Sequence, residues 1–466
     1  MNAQEEYKEF NHSQSSYTKK LLDAFSGCVQ FPEPPFPLGD MAESMEEKYG
    51  LPFQLNLFIL LSQVAAHTGG NIRMGAEGDF GMPLNLRLAV SMPGNKSLQG
   101  LFRTLGKRLY EVEQTAFTDT AGRNGKPFSE KEIGKVIDKA ESEDCGKLST
   151  ISRMARVASP NVLWDSGSSK NLLLCLERSA DNCLYALSDT GGPIPAYLEE
   201  YTPSERTELL RLARNASDMA PISQGGEGKA SWHYSGKSLL NILWFIERPY
   251  LFLALKDHQM AMNGFWHNFA LIDCPGLEAV DHVRLGKEIS HMKFWDMVVN
   301  LPFHNRTGSI PIMIHPDRDA DEEFEKFSRF IEGFMGNLPS YLHNPMRHWV
   351  TLAQKLSGLL CVAYNFQPGA IITGNYAMMG VSLAKWLGAQ TLQIHQSAVE
   401  SGLTIHEREA EETMLLKIRD KGPVAFRTIC RSYRKQAGSI HRPVLDSLME
   451  KGKVEVDGNG LYKLAS

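Results

Sequence analysis

The chain has 466 residues, 42% hydrophobic and 22% charged, a composition suited to two to four globular domains of ordinary polarity. Its formal net charge of −5 excludes a surface that binds polyanions everywhere, so any nucleic-acid contact must come from a local basic patch. The seven cysteines are scattered, with no CxxC pair and no His at zinc-ligand spacing, which argues against a disulfide framework or a zinc site and fits a reducing cytosol.

Residues 1–35 read as a polar arm. The start, MNAQEEYKEFNHSQSS, lacks the basic head and apolar run of a signal peptide. No uncharged apolar stretch reaches the roughly 18 residues of a membrane span, so a cytoplasmic protein without membrane contact is expected. Successive prolines between Pro32 and Pro37 predict an extended linker. From Met41 to His67 apolar residues recur at helical spacing and predict one or two packed helices. Leu84–Val90 reads as a buried strand, followed by a loop and a helix over Leu98–Tyr110. Residues 111–170 are polar and irregular, and leave helix, linker and insertion open.

Asn171–Ala180 reads as a helix, and Cys183–Leu187 as a short strand ending at Ser188-Asp189. Residues 215–236, rich in Gly and Ser, read as a loop. Leu251–Leu255 and Phe269–Ile272 read as further short strands, the second ending at Asp273. Short apolar strands alternating with helices predict an α/β fold with a mostly parallel sheet. Residues 322–401 follow a helical pattern.

One junction carries chemistry. After the strand Leu84–Val90 comes Ser91-Met92-Pro93-Gly94-Asn95-Lys96-Ser97, and then a helix. These are the ingredients of a Walker A loop, in which backbone N–H groups and a helix N-terminus cradle phosphates. Lys96 would neutralise phosphate charge and Ser97 would ligate Mg²⁺. The pattern GxxxxGK(S/T) has Gly where this chain has Asn95, a residue that also tolerates positive φ. An ordinary strand-to-helix turn remains the alternative.

Two strand ends offer the Walker B acid that would hold Mg²⁺ through water. Asp189 follows Cys183–Leu187 and is followed by Thr190; Asp273 follows Phe269–Ile272 within DCPG. A strand-end cap is the alternative for both. DCPG also has the form of a GTPase DxxG switch, but no NKxD motif follows it.

Taken in order, these segments resemble a domain-of-unknown-function family of phages, plasmids and genomic islands. Its members are primase/helicase-associated P-loop ATPases, including the YfjI-like prophage proteins. The resemblance covers about residues 35–400 and rests on PFPLGDMAESMEEKYGLPFQLNLFILLSQVAAHTGGNIRM, PLNLRLAVSMPGNKS, NLLLCLERSADNCLYALSDTGG and ERPYLFLALKDHQMAMNGFWHNFALIDCPG. It implies a RecA-like P-loop core, with Pro93, Gly94, Asn95, Lys96 and Ser97 on ATP, Asp189 as the Walker B acid, and Mg²⁺ at Ser97 and Asp189. It further implies a homo-oligomer acting on DNA in a helicase-like role within a mobile element.

Three positions depart from the family pattern: Asn95 for Gly, Thr190 for the Walker B Glu, and Asn268 for an Arg of arginine-finger type. Losing the last two removes groups that stabilise the transition state, so weak or absent hydrolysis is expected, with Arg248 or Arg347 as the alternative finger. A non-catalytic DNA-binding or assembly protein that keeps the P-loop fold is the competing reading.

The C-terminal 62 residues form a separate unit. Glu407–Lys421, Val424–Tyr433 and Ser439–Lys451 read as three helices, the third stopped by Gly452. Lys453–Val456 and Leu461–Leu464 flank Asp457-Gly458-Asn459-Gly460 as a hairpin. Three helices and a hairpin make a winged helix, whose third helix normally enters the major groove. Residues 405–466 carry 12 Lys and Arg against 9 Asp and Glu, with Arg427, Arg431, Arg434, Lys435 and Arg442 as candidate phosphate contacts. Protein docking is the alternative. The expected organisation is thus an arm (1–35), a P-loop core with helical lead-in (36–320), a helical subdomain (321–404) and a winged helix (405–466).

Overall fold

A computed structural model describes residues 37–70, 72–75, 81–92, 163–164, 183–216, 221–224, 232–237, 239–257, 263–274, 311–335, 343–365, 369–400, 422–425 and 452–457, with shorter pieces within 98–106, 172–176, 259–260, 414–419, 445–449 and 460–465. The chain forms two compact units, Met1–Ser397 and Ala398–Ser466. Among the described residues no single helix is long and apolar enough to cross a membrane.

The first unit opens with helices α1 (Leu38–Tyr49) and α2 (Phe53–Thr68). Gly50, at φ 64°, closes α1 by donating its N–H to Glu46 O, the left-handed cap that glycine adopts without strain. Helix α2 is buried around its whole circumference, as expected of a helix apolar on all sides. Short strands β1 (Ile72–Met74) and β2 (Met82–Pro83) follow, then β3 (Arg87–Met92), β4 (Leu163–Trp164) and β5 (Cys183–Ser188). Next come α3 (Ile194–Glu199), α4 (Pro203–Asn215), β6 (Pro221–Gln224), β7 (Trp232–Lys237), β8 (Leu239–Glu247) and α5 (Arg248–Lys256). A 3-10 turn at Phe265–Asn268 leads into β9 (Ala270–Asp273). Strand β10 (Ile312–Pro316), α6 (Arg318–Met335), α7 (His343–Asn365), β11 (Ile371–Ile372) and α8 (Gly374–Glu400) complete the order.

Two sequence expectations are corrected. Leu251–Leu255 is not a strand but the body of α5: Pro249 sits in the first helical turn, where its missing N–H costs nothing, and the strand is the preceding Leu239–Glu247. Within 215–236, read as a loop, β6 and the start of β7 pair antiparallel, because backbone pairing there does not depend on an apolar pattern.

The main sheet has five parallel strands in the order β4-β5-β8-β3-β9. Strand β8, buried along its length except at Glu247, lies between β5 and β3. Runs such as LLNILWFI are what a strand covered on both faces requires. A second sheet, β11-β10-β1-β2, pairs Ile72–Met74 in parallel with Ile312–Ile314 across most of the first unit's sequence.

Register assigns the two faces of the main sheet. Tyr185, Asn241, Leu243, Phe245, Leu88, Val90 and Ile272 share one face, which packs on α2. Three polar bonds fix α2 there. The Tyr185 hydroxyl lies 2.8 Å from Ser62 Oγ and accepts from Gln63 Nε2 at 3.0 Å, and Asn241 Nδ2 donates to Ala65 O. Ile242, Trp244, Ala89, Ser91, Leu271 and Asp273 share the other face. There Trp244 stacks with Phe265 and meets Phe269, while Trp266 Nε1 donates to Ala254 O of α5. On the side of β9 away from β3, the Leu271 N–H donates to Thr391 Oγ1 of α8, which caps that sheet edge.

Helix α6 buries Ala320, Phe324, Phe327, Ile331 and Met335, one face at helical spacing, and Asp317 Oδ1 accepts from Ala320 N at its start. Helices α7 and α8 approach closely at Gly380, where an added Cβ would stand 2.7 Å from Ala353 O.

In the second unit, β12 (Val454–Val456) and β13 (Tyr462–Leu464) form the expected antiparallel hairpin, and Val424 bridges to Tyr462 as a further β contact. The turn closes when Asp457 Oδ1 accepts from Leu461 N, with Gly460 at φ 76°. Met414, Ile418, Leu445 and Leu448 pack with Val424, Val454 and Tyr462 into one small core.

Candidate functional site at the carboxyl ends of the parallel strands

In open parallel sheets, ligands bind beyond the carboxyl ends of the strands, where neighbouring connections leave in opposite directions. The main sheet has such a place. From β3 the chain goes past β8 and β5 to β4; from β8 it passes over β3 to β9 on the other side. The carboxyl ends of β5, β8, β3 and β9 carry Ser188-Asp189, Glu247-Arg248, Ser91-Met92 and Asp273-Cys274.

The turn after β5 is built by Ser188. Its buried Oγ accepts from Thr190 N at 3.2 Å and from Gly192 N at 3.0 Å, and lies 3.1 Å from Thr190 Oγ1. Gly191 and Gly192 have φ of 88° and 57°. At Gly192 a Cβ would stand 2.7 Å from the Trp244 indole, so the turn packs against that ring with no room for a side chain. This fixes the backbone around Asp189, whose half-buried carboxylate has no hydrogen bond or ion pair among the described residues.

At β9 the situation differs. Asp273, with 6% of its side chain exposed, accepts from Arg248 Nη2 at 3.0 Å; Arg248 is 38% exposed. Since β3 lies between β8 and β9, this ion pair bridges the end of β3, directly where the chain leaves Met92. At this edge four buried polar atoms lack a hydrogen-bond partner among the described residues: Ser91 Oγ, Asp273 Oδ1, Arg248 Nε and Trp244 Nε1. Buried polar atoms without a partner cost stability, so four of them at one strand edge make that edge a candidate site. Glu247, in register with Met92, adds an exposed carboxylate at the same edge.

A comparison with protein-family models and curated proteins finds no match to this chain.

Of the residues singled out in the sequence, Pro93, Gly94, Asn95, Lys96 and Ser97 lie outside the described residues, as do Arg427, Arg431, Arg434, Lys435 and Arg442. Asp189 stands at the carboxyl edge, and Asp273 stands there too, two strands beyond β8. Asn268 stands at the opposite, amino-terminal edge, just before β9, among Asn85, Arg87, His348 and Lys355. A side chain there lies at the wrong end of β9 for that edge. Arg248 is at the carboxyl edge, and Arg347 is exposed on α7. Among the described residues no three His, Cys, Asp or Glu gather as a metal site. The Arg248–Asp273 pair has no sequence signal beyond two strand-end positions, because it depends on β3 being threaded between β8 and β9.

Proposed function

We propose that the first unit binds a nucleoside triphosphate, ATP with Mg²⁺, on a RecA-like P-loop core, and that the protein acts on DNA as a helicase- or replication-associated component of a mobile element. The observation that carries this is the strand order. The strand that precedes Lys96 and Ser97 is interior, between β8 and β9, and the strand that ends in Asp189 lies on the other side of β8, with all carboxyl ends at one edge. That arrangement suits phosphates held over the end of β3 by backbone N–H groups, Lys96 and Ser97. Asp189, partly buried and held by no described partner, is the carboxylate that fits a hydrated Mg²⁺; when bound, the ion would neutralise phosphate charge.

The same edge supports slow hydrolysis. Thr190 is exposed beside Asp189 and cannot take a proton from water at neutral pH, and Asn268 is at the other end of the sheet. The second unit supports nucleic-acid contact through its hairpin, its apolar core and the net charge of +3 over residues 405–466, as a winged helix would. The family resemblance supports a homo-oligomer.

Titration with Mg-ATP followed by a turnover assay tests this reading. Binding that Lys96→Ala abolishes is the expected result; no binding by the unaltered protein sinks it. Retention on DNA should weaken uniformly with salt and fall in the Arg431→Ala/Arg434→Ala double variant. Retention unchanged in that variant removes the winged-helix role.

A further inference from the structure

We draw no further inference here: the strongest candidate, the groove between the first turns of α6 and α8 lined by Asp317, Asp319, Glu322, Glu323 and Met378, is a cluster of carboxylates at two helix N-termini, and nothing else among the described residues points to what it would bind.

Discussion

The two edges of the main sheet use polar residues in opposite ways. At the amino-terminal edge they hold strands and helices in place. Asn241 Oδ1 accepts from the Leu86 N–H just ahead of β3, Lys355 Nζ of α7 donates to Asn85 Oδ1 at 2.6 Å, and Arg87 Nε reaches Leu240 O. At the carboxyl edge, Ser91, Asp273, Arg248 and Trp244 each bury an atom with nothing to bond. The carboxyl edge thus gathers four such atoms, whereas Asn241, Asn85 and Lys355 at the amino-terminal edge bond directly into the fold. In a protein of marginal stability, such a cluster is the first place to look for a demand other than folding.

The contrast can be broken or sharpened by substitution. The largest effect is expected at Gly192→Ala, which adds a side chain at φ 57° and 2.7 Å from the Trp244 indole. A loss of about 3–4 kcal/mol in chemical unfolding, with altered tryptophan fluorescence, is expected from strain and overpacking together. A loss below about 1 kcal/mol would mean the turn is not seated on the ring. Next is Asn241→Ala, which leaves the Leu86 N–H unpaired between β3 and β8. About 2–3 kcal/mol should be lost in the same measurement.

Acid should act on the amino-terminal edge through histidine. Burial and the nearby Lys355 and Arg87 push His348 down to about 3, and burial, with His267 close by, pushes His395 down to about 4. Both pKa values are depressed in the fold, so below the ordinary value of 6.5 the unfolded chain binds more protons. The stability these neutral rings allow is therefore complete above pH 6.5 and is lost as pH falls toward 4. About 1–3 kcal/mol should be gone by pH 5, allowing for the partial exposure of both rings. His348→Gln should flatten that slope; an unchanged slope would assign the acid sensitivity elsewhere. The smallest effect is expected at Ser91→Ala. Its hydroxyl has no partner among the described residues, so stability should stay within about 1 kcal/mol of the parent or rise. A loss as large as that of Asn241→Ala would erase the difference between the edges.

Much of this fold is legible in the sequence. Helix α2, α6 with its spaced phenylalanines, and strands β3, β5 and β9 follow from apolar periodicity, because each buries a defined face. The run Leu251–Leu255 misleads because five apolar residues are too short to separate a buried strand from a buried helix, and Pro249 is the better guide. Strands β1, β10 and β11 span two to five residues and find partners far along the chain, so no local pattern announces them. Asp189 is legible as a strand-end acid. The Arg248–Asp273 pair is not, since strand order alone brings it together.

That order also governs when the site can exist. Strands β3 and β5, which carry Ser91 and Ser188, do not touch; β8 joins them, and it comes later in the chain than either. During synthesis, a nascent chain that has emerged only through Asn215 holds both outer pieces of the edge and lacks the strand that unites them. Assembly must await a long-range insertion between two waiting strand edges, a slow step that leaves apolar side chains and unpaired backbone groups open to mispairing meanwhile. Fragments ending ahead of β8 should therefore need chaperone protection rather than fold as smaller versions of the whole.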